Sequence, residues 1–313
     1  MSSQTSDPFN RDATVAYERA ERLSPLVRRL TVENPSPMTF TGTQSYILGE
    51  GGVAIVDPGP LRPGQTDVIL NALERGEKVA AILVTHTHVD HSPGAAPLHE
   101  ATGAPIFAFG GHGEGMSEMM TDLAASGAEF GGGEGADRRF VHHETLRDGD
   151  EFDIGDVSVT ALHTPGHLSN HLSFALKDGS VLTGDLIMGW ATTMVSPPDG
   201  DMAAFMASLA RMAERDDRIF YGGHGHAVED PAGMIAHQVA HRRGREAQIA
   251  DALASISEAT PMDLTKAIYT DVDPRLHPAA ARNVFATLLG MISEGRAEAD
   301  GAIAPGARFR LIT

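Results

Sequence analysis

The chain has 313 residues, 42% hydrophobic and 21% charged, which excludes a disordered chain and supplies enough apolar sequence for one large domain or two. Its 24 basic and 42 acidic residues leave a net charge of −18, a field that opposes nonspecific binding to nucleic acid or anionic lipid. It has no cysteine, so disulfides, thiolate metal sites, iron–sulfur clusters and a cysteine nucleophile are excluded; any metal must be held by His, Asp or Glu, and there are 15 histidines.

Residues 1–22 are a polar lead-in with no apolar run after a basic start, so no signal peptide or membrane anchor is expected and a cytoplasmic location is. Alternating apolar positions then predict strands at Leu26–Val27, Leu30–Val32, Thr39–Phe40, Ser45–Leu48 and Val53–Val56, the last two joined as a hairpin across Gly49 to Gly52. Val68, Ile69, Leu70 and Leu73 predict a helix over 65–75, and Val79–Val84 a buried strand. A short helix at 94–101 and a strand at Pro105–Ala108 continue a strand–helix–strand alternation.

Residues 109–138 break that rhythm with glycine clusters, Gly131 to Gly133 among them, and with Met116, Met119 and Met120. They read either as a surface insertion or as a lid with methionine contacts over a site. Hairpins follow at 151–154 with 157–163, around Gly155-Asp156, and at 171–177 with 180–184, around Asp178-Gly179. Then come a helix at 201–213, a strand at Arg218–Tyr221 and a long helix from 231 to 255. Residues 242–313 differ in character: helix, helix, helix, hairpin, with Thr260-Pro261 as an N-cap followed by proline at the first helical position. That order resembles a winged helix.

The chemistry concentrates at Thr85-His86-Thr87-His88-Val89-Asp90-His91, just after the buried strand of residues 79–84. Four candidate ligands within six residues suit zinc or another first-row divalent ion. Three single residues also follow predicted strands: His167, Asp185 and His224. Strand C-terminal ends are where α/β enzymes place their sites.

These residues resemble the metallo-β-lactamase-fold hydrolases. The family motif H-x-H-x-D-H is met by His86, His88, Asp90 and His91. The downstream His, the bridging Asp and the last His are met by His167, Asp185 and His224, and an earlier strand-end Asp by Asp57. The resemblance implies an α+β fold, an αββα sandwich of two mixed sheets. With the terminal region it extends to the branch containing beta-lactamase-like protein 2, which implies a catalytic domain at 23–241 and a winged-helix-like domain at 242–313. It also implies two divalent metal ions, zinc first, with manganese or iron as alternatives. His86, His88 and His167 would hold one; Asp90, His91 and His224 the other; Asp185 would bridge them.

Two such ions roughly 3.5–4 Å apart share a water and lower its pKa to about 7, giving a hydroxide nucleophile. The expected reaction is hydrolysis of an ester-type bond: a thioester, lactone or phosphodiester. Asp90 is also a candidate for proton handling. His171, four residues after His167, is a candidate for substrate contact or for support behind the ligands. Thr192 and Thr193 are candidates for touching a substrate anion, and His226 for reaching the pocket. His142 and His143 read as solvated surface.

The missing cysteine and the presence of Asp185 argue against β-lactam hydrolysis, and His88 against the flavodiiron oxidoreductases, which carry Glu there. Remaining alternatives are an endoribonuclease acting on single-stranded RNA, an iron-dependent sulfur dioxygenase-like oxidoreductase, and a nucleic-acid-binding regulator with an inactive hydrolase domain. Residues 242–313 hold nine basic and nine acidic residues, and the candidate recognition helix carries only Arg282 in its body. Duplex binding calls for a basic stripe. The terminal unit is therefore read as structural, dimerising or site-flanking, which admits a homo-oligomer. The expected partner is a small ester or thioester, or a short RNA, with no membrane.

Overall fold

A computed structural model of the chain describes residues 7–127, 135–270 and 272–312. Two sheets face each other. The first has seven strands in sequence order: β1 Ala20–Arg22, β2 Val27–Thr31, β3 Gln44–Leu48, β4 Gly52–Val56, β5 Lys78–Leu83, β6 Ile106–Ala108 and β7 Glu144–Thr145. It is antiparallel through β4 and parallel beyond, so it is a mixed sheet. The second has β8 Glu151–Ile154, β9 Val157–His163, β10 Leu172–Leu176, β11 Ser180–Gly184 and β12 Ile219–Gly222, with β12 at one edge beside β11.

Strand periodicity explains the layers. Along β4, Ala54 and Val56 join Val159, Phe174 and Leu182 in the core between the sheets. Val53 and Ile55 point the other way, toward α1 Gln65–Asn71 and α2 Ala95–Thr102, where they pack with Ile69 and Leu98. On the far face of the second sheet, Val181 and Phe220 pack against α4 Met202–Ala213 and the start of α5 Pro231–Ile256. The result is the αββα sandwich.

The polar lead-in ends in edge strand β1, paired to β2. Thr39–Phe40 is not a strand: residues 37–39 form a turn closed by a bridge between Ser36 and Phe40, because the Ser36 hydroxyl caps the backbone N–H groups of Met38 and Thr39.

Helix α5 runs unbroken through residues 241 and 242. Met234 and Ile235 pack on the second sheet, whereas Ile249 and Leu253 enter a separate terminal core. That core is completed by α6 Pro261–Ile268, α7 His277–Ser293 and the hairpin of β13 Ala297–Ala299 with β14 Phe309–Leu311. Thr260 caps α6 through a reciprocal capping box with Asp263.

Helix α3 Glu118–Ala125 lies inside the 109–138 stretch. Its Met120 and Leu123 are buried in the terminal core, and Met116 and Met119 pack against it. The methionines therefore tie this stretch to the terminal unit. Gly131 to Gly133 lie outside the described residues. No helix among the described residues is long and apolar enough to cross a membrane.

Candidate metal centre

The seven candidate ligands come from loops at the ends of strands. Residues 86–91 follow β5, His167 follows β9, Asp185 follows β11 and His224 follows β12. All seven are buried, none more than 9% exposed. They gather into one cluster. His88 Nδ1 is 3.1 Å from His86 Nε2 and 2.9 Å from His167 Nε2. His224 Nε2 is 3.3 Å from both His91 Nε2 and Asp90 Oδ2. Asp185 joins the two groups: Oδ2 is 3.6 Å from His167 Nε2 and 3.3 Å from His224 Nε2, and Oδ1 is 3.6 Å from His91 Nε2.

These spacings suit coordination. A tetrahedral ion with bonds of roughly 2.0–2.1 Å sets its donors about 3.3 Å apart. Asp90 Oδ1 and Asp185 Oδ1 are buried with no hydrogen-bond partner among the described residues, an arrangement that a cation would satisfy.

The outer ring nitrogens fix the tautomers. His167 Nδ1 donates to the Met194 carbonyl at 2.8 Å, and His224 Nδ1 to the Gly42 carbonyl at 3.1 Å. His91 Nδ1 lies 2.9 Å from Asp57 Oδ2. His86 Nδ1 donates to Thr85 Oγ1 at 2.9 Å, which donates to Asp57 Oδ2 at 2.7 Å. Each of these four rings thus turns its inner nitrogen, Nε2, toward the cluster.

Residues 38–224 match the family model of the metallo-beta-lactamase superfamily, and residues 260–306 that of the beta-lactamase associated winged helix domain. The chain belongs to the metallo-beta-lactamase superfamily. It is 30% identical over 286 residues to the beta-lactamase-like protein 2 homolog of Drosophila melanogaster, covering 88% of this chain and 90% of that one. It is also 30% identical over 251 residues to an atrochrysone carboxyl ACP thioesterase of Passalora fulva, covering 78% of this chain and 67% of that one. Among solved structures, a beta-lactamase domain protein from Burkholderia ambifaria superposes with a TM-score of 0.76 at 20% identity, covering 97% of each chain.

The electrostatics of this superfamily site follow from burial against charge. Burial alone would lower His224 and His91, but Asp185 and Asp90 outweigh it, lifting His224 to about 10 and His91 well above the ordinary histidine range. Burial would raise both carboxylates, yet the neighbouring imidazoles hold Asp90 and Asp185 well below the usual range. Burial, with its histidine neighbours, takes His86 far down, leaving it neutral.

His171 lies behind the cluster, fully buried. Its Nε2 accepts from the Asp185 backbone N–H at 3.1 Å, so its Nδ1 donates to Thr164 Oγ1 at 2.9 Å. With both nitrogens engaged it positions Asp185, the supporting role of the two that were open to it. His226 points away, onto the Asp12 carbonyl at 2.8 Å. Thr193 spends its hydroxyl on the Leu186 carbonyl, while Thr192 lines a cavity beside the terminal unit.

Three contributors carried no recognised signal. Thr85 relays His86 to Asp57, which holds a left-handed backbone at φ +49°. Gly223 leaves room for the bridging carboxylate, since a Cβ there would lie 2.1 Å from Asp185 Oδ1. Asn170 donates to Thr87 Oγ1 and to the Gly111 carbonyl, both at 2.9 Å, pinning the ligand loop to the 109–138 stretch. The run Gly222-Gly223-His224-Gly225 was the one available hint, marking a close backbone approach.

Replacing Asp57 by Asn should leave the fold intact and weaken metal binding roughly 10–100-fold, because His91 loses the carboxylate that orients it. Chelator competition measures this, and unchanged affinity would refute the orienting role. The raised histidines give a second expectation. His91 and His224 sit above the unfolded value of about 6.5, so in the metal-free protein both are protonated at pH 7. Their pairing with Asp90 and Asp185 stabilises that form fully below about 6.5; it is lost as pH rises toward about 10 for His224, and above the ordinary histidine range for His91. Metal must displace those protons, so its affinity rises with pH across that range. Zinc titration calorimetry at pH 7 in two buffers of different ionisation heat should show proton release; identical heats would contradict it.

Proposed function

We propose that the chain is a dinuclear metal-dependent hydrolase acting on a thioester. The observation that carries this reading is the position of Asp185, whose two oxygens reach donors of both ligand triads while Oδ1 keeps no hydrogen bond. One carboxylate shared between two such triads is what a paired-ion site requires. The choice of thioester rests on the thioesterase relatives, which align over about three quarters of this chain.

Two ions held here would supply Lewis acidity for the carbonyl and an activated water. The protein's own groups do the rest. Asp185, fixed by the His171–Thr164 relay, keeps the triads together. Asp90 is braced by Thr43 Oγ1 at 3.1 Å on Oδ2, which fixes its buried Oδ1 toward the cluster. Burial of the cluster lowers the local dielectric and strengthens these electrostatic effects.

The test is a substrate panel on protein loaded with zinc, manganese or iron: a thioester, a lactone, a chromogenic phosphodiester and single-stranded RNA. Thioester turnover should exceed the others by at least about tenfold in kcat/KM. RNA or phosphodiester cleavage as the fastest reaction would overturn the substrate assignment. Activity that needs dioxygen and does not hydrolyse would overturn the reaction class.

A further inference from the structure

Three arginines are buried. Arg28 pairs with Glu77 at 2.7 Å and Arg29 with Glu21 at 2.7 Å. Arg242, 8% exposed, pairs with no carboxylate among the described residues, in a chain whose net charge is −18. One of its terminal nitrogens donates to the Thr193 carbonyl, its guanidinium lies 5.3 Å from the centre of the Phe205 ring, and its Nε is buried without a partner. Burial pulls it down to about 10, so it is still charged at pH 7. An isolated buried cation is costly, and unsatisfied donors beside one point to an anion that completes the site.

Arg242 borders a cavity of about 190 Å³ between loop 192–194, α5 and α7. Thr192, His241, Arg245, Tyr269 and Asn283 also line it. Arg245 lies over the Tyr269 ring at 4.4 Å and bonds only Gln248, so it too lacks an acid among the described residues. Burial and the two arginines take His241 down to about 4, so at pH 7 it is a neutral donor or acceptor, with Nδ1 buried and unpartnered. No carboxylate among the described residues lines the wall. Pockets for whole drug-sized ligands run to roughly 300–1,000 Å³, so this one suits a single small group. Two guanidinium groups, an imidazole and a hydroxyl offer more donors than a two-oxygen carboxylate uses, and match a phosphate.

The cavity shares a wall with the metal centre. The Thr193 carbonyl takes the Arg242 bond, and the next carbonyl, Met194, takes the Nδ1 proton of His167. We propose that this cavity is a phosphate-binding site, occupied by a phosphate group of the substrate or by free phosphate, one loop away from the candidate ligand His167. The substrate arm of this inference rests on the thioester reading; the binding arm does not.

The test compares the metal-loaded wild type with Arg245→Gln, Arg242→Gln and Arg242→Lys. Inorganic phosphate is titrated by calorimetry, with metal content checked in every sample. Both glutamine variants should bind phosphate at least tenfold more weakly with metal content unchanged, and Arg242→Lys should retain part of the affinity. If Arg242→Gln does not fold, the half-buried Arg245→Gln decides. Phosphate binding that neither substitution weakens would overturn the proposal.

Kinetics then separate the two sources. A phosphate-bearing acyl-coenzyme A is set against a neutral acyl-N-acetylcysteamine thioester. If the phosphate belongs to the substrate, Arg245→Gln raises KM at least tenfold for the first only. If free phosphate is the ligand, added phosphate changes turnover of both thioesters in the wild type and of neither in the variant. Absence of any thioester turnover defeats the functional reading and leaves the binding result standing.

Discussion

Two buried carboxylates set the terms for the rest of this protein. Asp90 and Asp185 lie within a few ångströms of each other's histidine neighbours, each with an oxygen that no group among the described residues satisfies. Charge in that position demands a compensating cation, because removing it from water costs several kcal/mol per ion. In the metal-free protein the compensation comes from protonated His91 and His224; with metal, it comes from the ions. The sandwich exists around this demand. Both sheets present loops at one edge, and the packing between them holds β5, β9 and β11 so that the loops they feed converge.

Much of this was legible in the sequence. Four ligands within residues 86–91 announce themselves through spacing, and a buried apolar strand before them says where they lie. His167, Asp185 and His224 were readable because each follows a strand and together they meet the order of the family motif; no rule of spacing links residues so far apart. Of the outer acceptors, Asp57 was readable, but the backbone ones were not. Gly42 and Met194 act through backbone carbonyls, which every residue has, so their side chains carry no trace of the task. His171 was visible as a conspicuous residue, but its role turned on which way its ring nitrogens point. The methionines of 116–120 showed an apolar helix face without showing which apolar surface it meets.

The terminal unit is not simply appended. Helix α5 is shared between the second sheet and the terminal core, α3 reaches across from the 109–138 stretch, and Ser117 Oγ donates at 2.8 Å to Asp201, the cap of α4. Arg242 on α5 grips the loop whose next residue supports His167. The near-neutral charge of this unit, against the acidic remainder, conceals a local cavity lined by two arginines and by no carboxylate among the described residues. Net charge therefore says little about what binds there, whereas the pairing of individual buried charges does.

The central claim is that Asp185 joins two ligand triads into one dinuclear centre. Elemental analysis of the purified, folded protein beside its Asp185→Asn variant tests it most directly. The account predicts close to two divalent ions per chain in the wild type and no more than one in the variant, with circular dichroism unchanged. Two ions retained by the folded variant, or a single ion in an active wild type, would contradict it.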